Sequence, residues 1–308
     1  MRYFDLHCDT INKCMETCSD FSDNPHALSL KKGMPAFERW VQCFAIWMLD
    51  EYRGDDAVRF YERNLEYFKS QLEKNRDKIL QVKNPDDLKG DDTRLRAILT
   101  VEGGSALAGR PERVEKLKND GVKMITLTWN AANEIGSGQL EDRGGLTKIG
   151  KEIVKEMDCQ GVIVDVSHLN DDGFYDVASI AGKPFVASHS NLRSIQNHKR
   201  NLTDEQFRII RDVGGIVGLN FYTGFISDEN PEDFEALFRH VYHFLELGGE
   251  NTLCMGSDFD GADVPKYIKD ISCVPALYNK MAQYGLDKTT LDKIFYENSV
   301  NFFEKNLT

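Results

Sequence analysis

The chain has 308 residues, with 38 Lys+Arg against 50 Asp+Glu and a formal net charge of −12. So acidic a surface repels phosphate backbones, which argues against nonspecific nucleic-acid binding. Hydrophobic residues at 41% and charged residues at 29% describe a globular chain, and no run nears the roughly 20 apolar residues of a membrane helix. The start, Met1-Arg2-Tyr3-Phe4-Asp5-Leu6-His7, has no apolar core or cleavage site, so no signal peptide is read there. Seven cysteines match no paired zinc spacing and suit reduced thiols in a cytoplasmic protein.

Short, nearly continuous apolar runs recur at 3–6, 41–48, 96–101, 123–128, 162–166, 184–187, 215–220 and 252–256. Each reads as a strand buried on both faces. Amphipathic stretches lie between and after them, at 55–78, 111–120, 147–160, 170–181, 203–213, 231–247, 274–284 and 289–305. In the first of these, Val58, Tyr61, Leu65, Phe68 and Leu72 share one helix face. Pro111 reads as a first helical residue, and Thr203-Asp204-Glu205-Gln206 as a capping box. Eight buried strands alternating with eight helices require a parallel sheet, because parallel neighbours need crossover helices. At this length the expected solution is a closed (β/α)8 barrel, one catalytic domain over 1–308. An open doubly wound sheet would want a glycine-rich turn after the first strand; the chain has His7-Cys8-Asp9-Thr10.

In such a barrel the C-terminal strand ends form the active rim. Here they carry His7-Cys8-Asp9, Glu102, Trp129-Asn130, His168, His189, Asn220-Phe221-Tyr222 and Asp258-Phe259-Asp260. Residues i and i+2 of a strand share a side, so His7 and Asp9 can face one metal while Cys8 packs away. Glu102 and Asp258 follow buried strands, where a carboxylate is costly unless paired or metal-bound. Asp260 reads as a loop cap. Alone, His168 or His189 is more plainly a hydrogen-bonded barrel histidine. Together His7, Asp9, Glu102, His168, His189 and Asp258 exceed one tetrahedral zinc. They suit two metals about 3.5–4 Å apart with a bridging carboxylate, a centre for hydrolysis.

These residues sit in motifs that resemble the membrane (renal) dipeptidase family, zinc dipeptidases on a metal-dependent-hydrolase barrel. The motifs are Asp5-Leu6-His7-Cys8-Asp9-Thr10, Val101-Glu102-Gly103-Gly104, the stretch 161–168 ending Val166-Ser167-His168, Ser188-His189-Ser190, Lys199-Arg200-Asn201 and Gly256-Ser257-Asp258-Phe259-Asp260-Gly261. The resemblance implies that His7 and Asp9 bind one zinc and His168 and His189 the second, with Glu102 bridging. It implies that Asp258 is both a ligand beside the first metal and the proton acceptor. Arg200 resembles the arginine that pairs with the substrate's C-terminal carboxylate. Read without the resemblance, it is a surface base beside His198 and Lys199. Tyr222 falls where family members line the substrate pocket. The implied activity is hydrolysis of dipeptides with a free C-terminal carboxylate, with a D-residue tolerated there. The implied cofactor is two Zn²⁺, and Mn²⁺ or Co²⁺ would suit the same ligands.

Two departures qualify the resemblance. Mammalian members carry a histidine after the fourth strand that helps hold the substrate; here Trp129 stands in that place, followed by Asn130 as a substitute donor. The chain also lacks a hydrophobic anchor tail, so no membrane partner is expected. A homodimer is left open, with 234–247 as one candidate face. The competing readings are a binuclear metal hydrolase of another amide, lactone or ester, or a catalytically weak ligand-binding barrel.

Overall fold

The computed structural model describes residues 1–90 and 92–307. Its strands, in chain order, are β1 (Arg2–Asp5), β2 (Arg39–Trp47), β3 (Ile79–Gln81), β4 (Leu95–Glu102), β5 (Val122–Thr126), β6 (Ile163–Asp165), β7 (Val217–Leu219) and β8 (Leu253–Met255). Every ladder is parallel, in the spatial order β6-β5-β4-β2-β1-β8-β7. The segment 184–187 closes the ring through single bridges, Asp165 to Val186 and Ala187 to Val217. Val186 N donates to Val164 O at 3.0 Å and Gly218 N to Ala187 O at 2.8 Å. The strand expected at 184–187 is therefore in its place but is no ladder. The next residue, Ser188, donates its N–H to the Asp165 carboxylate at 2.9 Å instead of to a neighbouring strand.

β3 was not expected. The helix read over 55–78 ends at Lys74, and Ile79–Gln81 pairs with the start of β4 outside the ring. β5 takes over that same edge of β4 beyond a register break at Leu99/Thr100. Six further helices stand close to their expected places, from Arg113–Asp120 to Val274–Gln283. Pro111 is not a first helical residue: Glu112 is the N-cap, and Val114 N closes a turn onto Pro111 O. The capping box forms, with Gln206 N donating to Thr203 Oγ1 at 3.1 Å and Thr203 N to Gln206 Oε1 at 2.8 Å. The stretch 289–305 is not one helix; a π-turn at Lys293–Glu297 separates Lys288–Asp292 from Asn298–Asn306.

One buried apolar cluster takes Phe4, Val41, Ile98, Met124, Ile163, Val186 and Cys254 from seven segments of the ring, and Ile216 from the residue just before β7. Residues from every side of a ring can meet only in its lumen, so the barrel is filled, as such barrels are. Phe302 and Phe303 of the last helix, with Leu307 just after it, join this cluster, and Phe303 lies 5.1 Å from Phe4 ring to ring. That helix closes the N-terminal mouth and leaves the opposite rim for chemistry.

Candidate metal centre

Because the strands run parallel, their C-terminal ends meet on one rim. His7 and Asp9 follow β1, Glu102 ends β4, and His168 follows β6. His189 follows the closing segment, and Asp258 follows β8. All six converge. His7 Nε2 lies 3.3 Å from Asp9 Oδ2, 3.4 Å from Glu102 Oε2 and 3.9 Å from Asp258 Oδ1. The other oxygen of Glu102, Oε1, lies 2.7 Å from His168 Nε2 and 3.3 Å from His189 Nε2. One carboxylate thus faces two groups, His7–Asp9–Asp258 with Oε2 and His168–His189 with Oε1.

Local structure sets these side chains. Asp9 occupies the N-cap of the helix Thr10–Glu16 but makes no side-chain cap bond; its carboxylate turns into the cluster. His168 and Asp258 have φ of 71° and 62°, the left-handed region that costs a non-glycine residue about 1–2 kcal/mol. Two candidate ligands in that region mark backbone bent to aim them. Asn220, beyond β7, donates Nδ2 to Asp258 Oδ2 at 3.0 Å, leaving Oδ1 toward His7.

The donor set fits divalent cations. Asn130 Oδ1 lies 3.0 Å from His168 Nδ1, which must carry hydrogen to bond a carbonyl oxygen. The His168 Nε2 of a neutral ring is then a lone pair, facing Glu102 Oε1 and, at 3.0 Å, His189 Nε2. A ring lone pair and a carboxylate oxygen 2.7 Å apart repel each other unless a proton or a metal cation lies between them. Asp9 Oδ1 is buried with no protein partner, a second unfilled acceptor. The electrostatics agree. Burial and the adjacent Glu102 push the Asp9 carboxyl up to about 7. Burial opposes charge on His7, yet Glu102 and Asp9 raise its pKa well above the imidazole range. Burial, followed by Arg200, lowers His168 to about 4, keeping it neutral as a ligand must be. The carboxylate side of the cluster thus draws a positive charge onto His7, while His168 and His189 are held neutral by burial.

Above the cluster opens a cavity of about 590 Å³, lined in part by Trp47, Trp129, Asn130, Arg200 and Tyr222. Arg200, read as exposed when taken alone, is 4% exposed. Its Nη atoms donate to Ser190 Oγ and His189 O, both at 3.2 Å, while its buried Nε has no partner. Burial lowers its pKa to about 10, which leaves it charged at neutral pH. Tyr222 packs edge-on against Phe225, with ring centroids 4.7 Å apart. Asn130 lines the cavity and also holds His168 by the bond above. Asp260 caps loops, accepting from Thr10 Oγ1 at 2.6 Å and Ala27 N at 2.7 Å.

Several contributors were missed from sequence. Trp47 ends β2 and meets Trp129 edge-on at 4.9 Å; Asn12 pins it, donating to Trp47 O at 3.0 Å and accepting from Trp47 N at 2.8 Å. An indole at a strand end was the available signal. Gly261 left no signal beyond its motif. A Cβ there would stand 1.9 Å from Asp9 Oδ2 and 2.7 Å from Asp258 Oδ1. Gly261→Ala is therefore expected to swing Asp9 away and to bind one divalent ion fewer per chain than the parent, with the fold kept. Metal analysis beside circular dichroism checks this.

A parallel barrel with histidines and carboxylates gathered at its C-terminal rim is the architecture of metal-dependent hydrolases. The chain belongs to the membrane dipeptidase family, peptidase family M19, whose sequence profile matches residues 1–307. It is 35% identical over 219 residues to a protein encoded in the pqqA 5′ region of Klebsiella pneumoniae, covering 68% of this chain and 81% of that one. Its fold matches the crystal structure of dipeptidase AC, an M19 metallopeptidase, at a TM-score of 0.93 with 28% identity over 100% of this chain and 99% of that one. A Rhodobacter sphaeroides metallopeptidase, solved with a phosphinate mimic of the dipeptide L-Ala-D-Ala, matches at 0.92 with 26% identity over 100% and 99%. The chain is thus a metallopeptidase of the dipeptidase class. Among the described residues no helix is long and apolar enough to cross a membrane, whatever the family's name.

Proposed function

We propose that this chain hydrolyses dipeptides with a free C-terminal carboxylate, accepts a D-residue at that position, and works with two zinc ions. The observation that carries the reading is the division of Glu102, one oxygen to each ligand group, beneath a cavity holding a buried arginine with an unpartnered Nε. His7, Asp9 and Asp258 would hold one ion, His168 and His189 the other, and Glu102 both. Bound there, two zinc ions supply Lewis acidity and a water acidified for attack at neutral pH. Mn²⁺ or Co²⁺ would suit the same donors.

The chain's own residues do the rest. Arg200 pairs with the substrate carboxylate and so sets the register of the scissile amide over the cluster. Asp258 takes the proton of the attacking water on Oδ1, the oxygen that Asn220 leaves toward His7. Trp47, Trp129 and Tyr222 give the cavity an aromatic wall beside the cluster. Trp129 offers one N–H where a histidine would offer a ring nitrogen of either kind. Support for the D-residue comes from the Rhodobacter relative, whose bound phosphinate mimics the dipeptide L-Ala-D-Ala.

The test is a comparison of kcat/KM for L-Ala-L-Ala, L-Ala-D-Ala and the C-terminal amide of each. The reading predicts turnover of both acids and a loss of at least about 100-fold for the amides, since a neutral end leaves a buried cation unpaired. Amides cleaved as well as acids would refute the carboxylate clamp. Turnover of the L,L-acid alone would refute tolerance of the D-residue.

A further inference from the structure

Two buried carboxylates lie beneath the rim in matching positions, and neither is in the ligand set. Asp5 ends β1 and Asp165 ends β6, and both are 0% exposed. Each reaches across to a serine of the adjoining segment of the ring. Ser257 Oγ donates to Asp5 Oδ2 at 2.5 Å, and Ser188 Oγ donates to Asp165 Oδ2 at 2.6 Å. In both cases the residue after the serine is a candidate ligand: Asp258 in one, His189 in the other. The chemical difference between those two ligands matters. A carboxylate has no tautomers. A neutral imidazole has two, and only one offers a lone pair at Nε2.

Asp165 is saturated by donors. Thr126 Oγ1 at 2.5 Å and Ser188 Oγ at 2.6 Å reach Oδ2; Ser167 N at 3.0 Å and Ser188 N at 2.9 Å reach Oδ1. Ser188 has one hydroxyl hydrogen, and it is spent on Asp165. Its other hydroxyl neighbour, Ser167 Oγ, stands farther off at 3.4 Å. At His189 Nδ1, 2.7 Å away, Ser188 Oγ can therefore only accept. Nδ1 carries the hydrogen, and Nε2 faces Glu102 Oε1 as a lone pair.

We propose that Asp165 is a positioning residue that selects the metal-binding tautomer of His189 through Ser188, and so sets the affinity of the His168–His189 half of the centre for its ion. The proposal rests on the two-ion reading above. Asparagine at 165 has the same shape but one donor in place of an acceptor. Its NH₂ cannot face the two backbone N–H groups on the Oδ1 side, so it must face Thr126 and Ser188. Ser188 then accepts, and its hydroxyl hydrogen turns to His189 Nδ1. The ring is left with its hydrogen on Nε2, pointed where the ion binds. In serine hydrolase triads the same replacement keeps the geometry and fixes the wrong tautomer.

The test is zinc content and zinc affinity, by competition with a chelator, for the full chain and for Asp165→Asn and Asp5→Asn. The wild type is expected to hold two ions. Asp165→Asn should keep one at wild-type affinity and bind the other roughly 10–100-fold more weakly, the usual cost of losing an outer-shell partner. Asp5→Asn keeps an acceptor for the backbone N–H groups of Ser257 and His7, at 2.8 and 3.4 Å, and reaches no imidazole nitrogen, so no tautomer changes and both ions should stay within about threefold, whatever happens to the melting temperature. Ser188→Ala breaks the same relay with Asp165 in place, and should weaken the same single ion if Asp165→Asn does not fold. Two ions held by Asp165→Asn, or by Ser188→Ala, as tightly as by the wild type would overturn the proposal. So would equal weakening of one ion by Asp165→Asn and Asp5→Asn. A wild type that binds fewer than two ions overturns the two-ion reading itself, a failure visible without any variant.

Discussion

Glu102→Gln is expected to bind both ions at least about 100-fold more weakly and to reduce dipeptide turnover to background, while folding normally. Losing an outer-shell partner costs up to about 100-fold in affinity, and Glu102 would contact the ions directly. Its two oxygens face separate groups, so replacing one by an amide NH₂ sets a donor against a cation on one side. The other side loses the negative charge that both share. The substitution also relieves the chain of charge. Burial opposes a charged Glu102, and the neighbouring His7 holds its carboxyl well below the usual range. With the carboxylate gone, the pull that raises His7 weakens, and burial favours a neutral ring. Metal analysis after gel filtration, beside a melting curve, separates loss of metal from loss of fold. A Glu102→Gln protein that retains both ions would show that the bridge is not Glu102.

Arg200→Met is expected to divide the kinetic constants differently. Truncating one partner of a buried, hydrogen-bonded charge pair costs about 2–5 kcal/mol, roughly 30- to 4,000-fold in kcat/KM. The loss should fall mainly on KM, since the proposed carboxylate contact would be made in both the ground and transition states. Zinc content should not change. The preference for free acids over C-terminal amides should collapse, because the charge that reads the difference is gone. Lysine should not restore it, since a point charge cannot reproduce a planar fork. Stability should move the other way. Before substrate binds, Arg200 is a buried cation whose partners, Ser190 Oγ and His189 O, are neutral and whose Nε has none. Methionine removes that desolvation penalty, so the variant should melt at or above the wild-type temperature. A lower melting temperature with unchanged KM would make Arg200 a structural brace.

The split between what could and could not be read in the sequence follows the range of each interaction. Strands buried on both faces leave continuous apolar runs, and helices leave a period near 3.6, so the alternation and the barrel were legible. The rim was legible too, because a carboxylate such as Glu102 at the end of an apolar run is costly to bury unless a cation or a donor meets it. The three-residue β3 has no period to detect, and the bridging segment 184–187 looks like any short strand. Contacts between distant elements were hidden. Nothing local marks Asp165 as the acceptor of Ser188, Asn130 as the partner of His168, or Asn220 as the partner of Asp258. The burial of Arg200 depends on how 190–202 folds over the rim, while its neighbours His198 and Lys199 make it look like surface. Gly261 is required by a side chain more than 200 positions away, a distance no pattern spans.

A binuclear dipeptidase centre is tested by titrating zinc into metal-free protein while L-Ala-D-Ala hydrolysis is followed. We predict that activity is absent without metal, rises with added zinc and saturates at two equivalents per chain. A return to zero with excess chelator should follow. Saturation at one equivalent would contradict the binuclear centre built on Glu102. Two equivalents bound with no hydrolysis of this or the L,L-dipeptide would contradict the assigned substrate.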